Sequence, residues 1–380
     1  MDKLSLAKSL DEIASLLESG ESLNKPTIAV TNFLSELGSD NVNNAVENLK
    51  NEANIIIVGE KYTDEFEYYE ATDDASNADV IEGLFKEGKI DAAVTMHYPF
   101  PIGVSTVGRV VAPANGKLVY IANTTGTNDT NREKAMVMNA IDGIIAAKAN
   151  GIKNPTIGIL NVDSARVVEK KLKELKENGF DLTFAESKRG DGGVALRGND
   201  VLAASSDIVV TDSLTGNVIQ KVFSSFTSGG FYETTGSGYG PSIGEGFYTP
   251  VFIVSRASGT PVIEQAIRYA IDCVKGNINQ VSKDTYAAAK KAGLEEVLKS
   301  LEPKASAASD EEEVKVPDKE IVNASIGGID ILEIEDAIKA VHKAGIYAES
   351  AMGCTGPVVM VSEAHLEEVK NILRENNYIE

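Results

Sequence analysis

The chain has 380 residues, 57 of them acidic and 36 basic, for a formal charge of -21. That field repels a phosphate backbone, and aromatics at 6% with no Trp leave little stacking surface, so nucleic acid is excluded as an expected partner. Hydrophobic residues at 43% and charged residues at 24% are the proportions of a globular chain, and the length calls for two or more domains.

Leu4 to Leu17 repeats apolar residues at helical spacing and carries acidic groups, unlike a signal or transit peptide. No apolar run reaches the length of a membrane span. Two cysteines, Cys273 and Cys354, make no disulfide framework, so a reducing, cytoplasmic setting is expected. Buried strands are predicted at Thr27–Val30, Asn54–Val58, Ile90–Val94, Leu118–Ile121, Thr156–Leu160, Asp207–Thr211 and Pro250–Val254. Helical patterns fill many of the gaps, among them Asn131–Ala149, Ser164–Asn178 and Pro261–Val274. Continuous apolar strands alternating with amphipathic helices define a doubly wound, mainly parallel α/β sheet over residues 1–301. Residues 302–320, EPKASAASDEEEVKVPDKE, have no apolar periodicity and read as a flexible linker. Residues 321–380 read as a second, small α/β domain: strand Ile321–Ser325, helix Leu332–Ala344, strand Ile346–Ser350, strand Val358–Ser362 and helix Glu363–Asn376.

Chemistry is sought first at Gly353-Cys354-Thr355-Gly356-Pro357, between two predicted strands. Flanking glycines permit close approach of a substrate, and successive backbone N–H groups in such a turn favour a thiolate or an oxyanion. Cys273, among Ala270, Ile271 and Val274 of a helix, reads as a small packed hydrophobe. Ser255-Arg256 follows a strand and opens a helix with Thr260 as expected N-cap and Pro261 behind it, an arrangement suited to an anion. Asp212-Ser-Leu-Thr215-Gly216-Asn217 and Asn123-Thr-Thr125-Gly126-Thr127 also follow strands, so all three loops are expected on one edge of the sheet. His97, again past a strand, is a candidate acid or base, with a structural hydrogen-bonding role equally open. Three dispersed His and two distant Cys give no metal-ligand spacing, and no nucleotide-binding Gly motif is present. Gly240-Pro-Ser-Ile-Gly244 lacks the context of a nucleophile elbow; the Gly-rich stretch around it reads as a surface loop or lid.

Ile157–Val162, Gly198–Asp200 and Asp207–Asn217 with Lys221 resemble the phosphate acyltransferases of phospholipid synthesis, and Ser255-Arg256 is similar to the paired Ser-Arg of phosphate acetyltransferases. A fuller resemblance is to the alpha subunits of component C of glycine/sarcosine/betaine reductase complexes. Val94-Thr-Met-His-Tyr-Pro99, Pro101-Ile-Gly-Val-Ser-Thr-Val-Gly-Arg109, Thr211–Asn217 and Ala348–Pro357 carry it, and it covers nearly the whole chain. It implies the phosphate acyltransferase/isocitrate dehydrogenase-like fold. It also implies an acetyl thioester on Cys354 that phosphate, as co-substrate, releases as acetyl phosphate, with no cofactor and no metal. Ser255 then polarises the carbonyl and Arg256 holds phosphate. His97, Ser105, Thr125, Gly126, Asp212, Thr215, Gly216 and Asn217 are the substrate- and phosphate-binding candidates. The implied partners are a beta subunit of component C, the selenoprotein component A and a small anionic substrate, in an oligomeric assembly. Two rivals remain at this level: an acyl carrier protein–phosphate acyltransferase that does without Cys354, and a non-catalytic scaffold.

Overall fold

The computed structural model describes residues 25–188, 193–302, 316–329, 333–353 and 356–379. The expected helix at Leu4–Leu17, most of the expected linker and Cys354 itself lie outside the described residues. Twelve strands form one mixed sheet: β1 (Thr27–Thr31), β2 (Asn54–Gly59), β3 (Glu67–Glu70), β4 (Ala92–Thr95), β5 (Val104–Val111), β6 (Leu118–Thr127), β7 (Thr156–Leu160), β8 (Thr183–Phe184), β9 (Ala195–Leu196), β10 (Ile208–Val210), β11 (Gly240–Gly244) and β12 (Val251–Ile253). Their order is β3-β2-β1-β4-β12-β11-β5-β6-β10-β7-β8, with β9 also paired to β7.

The helices are α1 (Ser39–Leu49), α2 (Asp74–Lys86), α3 (Arg132–Ala149), α4 (Ala165–Glu177), α5 (Gly198–Leu202), α6 (Ser213–Ser225), α7 (Thr260–Lys275), α8 (Ile278–Lys291) and α9 (Leu294–Ser300). They cover both faces because the strands are apolar on both. Ile28, Val30, Ile55 and Ile57 point into a core shared with α1, α3, α4 and α7. Ala29, Ile56 and Val58, one residue out of step, point into a core shared with Ile81 and Leu84 of α2. Further along the sheet, Ile121 and Val209 meet Val201 of α5 and Phe223 of α6 on that second face.

The expectation of a mainly parallel α/β sheet holds within each half. Its middle departs from it: β11 runs antiparallel to both β12 and β5, and β5 runs antiparallel to β6. The Gly-rich stretch expected as a surface loop or lid supplies β11, buried from Gly240 to Gly244 at the centre of the sheet. Thr125, Gly126 and Thr127, expected in a loop, are the last residues of β6, with Gly126 paired to Ser105.

A separate three-stranded antiparallel sheet, ordered β13 (Ala324–Ile326), β15 (Gly356–Val361), β14 (Ala348–Gly353), packs with α10 (Ile334–Lys343) and α11 (Leu366–Glu375). Its own core contains Ile326, Ile338, Val341, Val359, Val361, Val369 and Leu373. β14 and β15 pair as far as Gly353 opposite Gly356, the two residues that flank Cys354-Thr355.

Candidate functional site

β4 and β12 are parallel neighbours in which Thr95 pairs with Ile253, so His97 and Ser255 each emerge two residues beyond a paired position. Arg256 follows at once, its backbone carbonyl held by the N–H of Glu36 at 2.8 Å. Asp74, the first residue of α2, reaches both side chains. Arg256 Nη2 donates to Asp74 Oδ2 at 3.2 Å and to Oδ1 at 3.4 Å. His97 Nδ1 lies 3.9 Å from Asp74 Oδ2. A buried relay holds these pieces in register. Thr31 Oγ1 donates to Asn77 Oδ1 at 2.7 Å, Asn77 Nδ2 to Thr95 Oγ1 at 3.1 Å, and Thr95 Oγ1 to the carbonyl of His97 at 3.2 Å. Two strands and a helix are thereby fixed around one edge of the sheet.

The turn from Ser255 to Gly259 is tied from below. Ser255 N–H donates to Ser258 Oγ at 3.0 Å, and Ser258 Oγ donates to Glu233 Oε2 at 2.7 Å. Tyr239 donates its hydroxyl to Glu233 Oε1 at 2.6 Å, and Lys221 Nζ stands 3.9 Å from the same oxygen. Burial, reinforced by the charge of Glu233, raises the Tyr239 hydroxyl well above its ordinary range and keeps it a donor. Ser255 Oγ accepts from the N–H of Ala257 at 3.2 Å, so the hydroxyl keeps its own proton to donate. The expected N-cap is displaced by one residue. Gly259 caps α7, and the N–H of Thr260 donates instead to Asn41 Oδ1 of α1 at 2.7 Å. Asp74, Asn77, Glu233 and Tyr239 escaped the sequence reading because none stands in a recognisable motif; the chain brings them in from far away.

The other expected loops do not join this edge. β6 and β10 run opposite to β4 and β12, so their carboxyl ends lie off the opposite side of the sheet. There Asp212 is the N-cap of α6, accepting from Thr215 N at 3.0 Å and from Thr215 Oγ1 at 2.8 Å. Burial opposes its ionisation, but these bonds and Arg132 Nη2 at 3.0 Å hold its carboxyl below the ordinary range. Asn217 Nδ2 donates to the carbonyl of Thr124 at 3.0 Å. Gly216 packs so close to β6 that a Cβ would run into the carbonyl of Asn123. These residues bind α6 to the sheet, while the far half of the same helix carries Lys221 to the Ser255 edge.

Ser105 is fully buried and donates to Asp142 Oδ2 at 2.9 Å. Asn128 Nδ2 donates to the same oxygen at 2.6 Å, and Tyr286 donates to Asp142 Oδ1 at 2.6 Å. Burial outweighs these three bonds and pushes the Asp142 carboxyl from 3.8 up to about 7. Between those values the folded chain holds a proton that the unfolded chain has released, so stability falls as pH rises through this window and is level above it. The lost stability amounts to about 4 kcal/mol at most. The lowered Asp200, Asp207 and Asp212 act in the opposite sense and only below pH 3.8. Thermal melts from pH 5 to 8 are therefore expected to show a falling Tm that flattens in Asp142→Asn; an unchanged slope in the variant would assign it to other groups.

Of the two thiols, Cys273 is fully buried in α7 and accepts from Asn150 Nδ2 at 3.1 Å. Burial pushes its thiol up to about 12, so it is protonated and inert at neutral pH.

Residues 27–360 match the family described as fatty acid synthesis protein, and the chain belongs to that family. Over 376 residues it is 49% identical to the glycine/sarcosine/betaine reductase complex component C subunit alpha of Peptoclostridium acidaminophilum, covering 98% of both chains. A phosphate acyltransferase of Lysinibacillus sphaericus is 33% identical over 140 residues, 37% of this chain and 38% of that one. Among solved structures, a branched-chain phosphotransacylase from Enterococcus faecalis superposes with a TM-score of 0.49 at 18% identity, covering 66% of this chain and 99% of that chain. No helix among the described residues is long and apolar enough to cross a membrane.

Proposed function

We propose that this chain is the alpha subunit of an acetyl-transferring reductase component, in which Cys354 carries an acetyl thioester and phosphate releases it as acetyl phosphate. The observation that carries this reading is the 49% identity to a component C alpha subunit over 98% of both chains. Two structural facts support it. Ser255 and Arg256 stand together past the end of β12 beside His97, and Cys273, the other thiol, is buried and protonated.

In the proposed step, an oxygen of hydrogen phosphate attacks the thioester carbon. A C–O bond forms, the C–S bond breaks and its electron pair stays on Sγ of Cys354. The phosphate proton ends on that sulfur, giving a free thiol and acetyl phosphate. Ser255 donates its hydroxyl proton as a hydrogen bond to the carbonyl oxygen, where negative charge develops. Arg256 binds and aligns phosphate as a charged donor, a task made heavier by the acidity of the whole chain. In the proposed complex the chain is partnered by a beta subunit, and the two-carbon group arrives as a carboxymethyl selenoether on a selenoprotein.

Arg256→Ala is expected to separate loading from release. Acetylated from a small thioester donor, the variant forms the Cys354 adduct, yet it needs about 10- to 100-fold more phosphate for half-maximal release, as expected on losing one charged hydrogen-bond donor. The adduct is followed by intact mass and the product by a colorimetric acetyl phosphate assay. Release at the wild-type phosphate concentration would remove Arg256 from the proposed role.

A further inference from the structure

The position next to Arg256 and His97 is taken by a carboxylate of the chain itself. Asp74 is not needed to cap α2. Asp73 does that, accepting from the N–H of Ser76 while the Ser76 hydroxyl oxygen accepts in return from the N–H of Asp73. The Asp74 carboxylate is thus available to Arg256, which it accepts from at 3.2 and 3.4 Å, and to His97 at 3.9 Å. It is held there because Asn77, three residues further along α2, is locked into the buried Thr31–Asn77–Thr95 relay. The ion pair is itself weak. The side chains of Arg256, Asp74 and His97 are 46%, 40% and 48% exposed, so solvent screens them and an incoming dianion can displace a single carboxylate.

We infer that Asp74 is a built-in competitor for the oxyanion site at Arg256, which a phosphate must displace, so that Asp74 sets the phosphate concentration at which the site fills. The inference rests on the assignment of phosphate to Arg256. In this arrangement the carboxylate also discriminates between ligands. A phosphate dianion, with two charges for Arg256 and further oxygens to accept a hydrogen bond from His97, displaces it more readily than a monoanionic carboxylate such as acetate, which offers nothing that Asp74 does not already supply.

The test is equilibrium binding of inorganic phosphate, and separately of acetate, to the full-length chain by calorimetry. Four proteins are compared: wild type, Asp74→Asn, Arg256→Ala and the double variant. Asp74→Asn is expected to tighten phosphate by about two- to five-fold, the size of a surface ion pair. It is expected to bring acetate binding closer to that of phosphate, and to have no effect once Arg256 is absent. Weaker or unchanged phosphate binding in Asp74→Asn overturns the inference, since Asp74 would then orient Arg256 or stand aside. Equal phosphate binding by wild type and Arg256→Ala overturns the underlying assignment instead, and the two failures are told apart by the Arg256 variant alone. Circular dichroism of Asp74→Asn, with the Asp73–Ser76 cap intact, checks that α2 is unchanged.

Discussion

Wild-type chain incubated with acetyl phosphate is expected to gain one acetyl group by intact mass, and Cys354→Ala none. The adduct in the wild type is released by neutral hydroxylamine, as thioesters are and amides are not. Cys273→Ala is expected to acetylate like the wild type, because Cys273 is fully buried with its thiol pushed up to about 12 and offers no thiolate. The expected effect is complete because the proposed acyl carrier is a single sulfur atom, and alanine has no nucleophile at that position. An adduct that persists in Cys354→Ala would place the acetyl group on another side chain and remove Cys354 from the role of acyl carrier. No adduct in any variant would point to direct acyl transfer without a thiol, to a scaffold, or to a subunit that acts only with its partners.

The second large effect concerns the fold. Gly240→Ala is expected to destabilise the chain by roughly 3–5 kcal/mol, the range of severe core substitutions. Gly240 opens β11 at φ +83°, where an L side chain is strained, and a Cβ there would run into the carbonyl of Val107 on β5. Relief requires moving β11 or β5, and both are hydrogen-bonded partners in the middle of the sheet. Gly246→Ala is the control. It shares the positive φ, at +76°, but nothing lies within 4 Å of its Cβ, so it should cost only about 1–2 kcal/mol. Urea unfolding midpoints of the two variants separate backbone strain from steric exclusion. Equal midpoints would mean that the approach of β11 to β5 is not what makes Gly240 necessary.

The same two strands show where sequence reading stops. Thr27–Thr31, Asn54–Gly59 and Thr156–Leu160 were legible because apolar, β-branched runs buried on both faces have few alternatives. Val104–Val111 and Gly240–Gly244 were not. The first holds Ser, Thr, Gly and Arg, and the second consists of Gly, Pro, Ser and a single Ile, a composition that reads as a turn. Their burial comes from tertiary contacts rather than from propensity. With no strand assigned to the first and the second read as a loop or lid, the reversal of strand direction between β12 and β6 stayed concealed, which placed the Asp212 and Thr125 segments on the wrong edge of the sheet.

What the sequence determined by itself was local: the alternation of strands and helices, the packed character of Cys273, and a Ser-Arg pair released at the end of a buried strand. Each follows from side-chain periodicity over a few residues, which acts before any distant contact forms. The tertiary structure alone decided the company that pair keeps. Arg256 meets Asp74 across 182 positions of chain, and Ser258 meets Glu233 across 25. Such meetings depend on which strands lie side by side and in which direction they run, and that is fixed only when the whole sheet closes around its core.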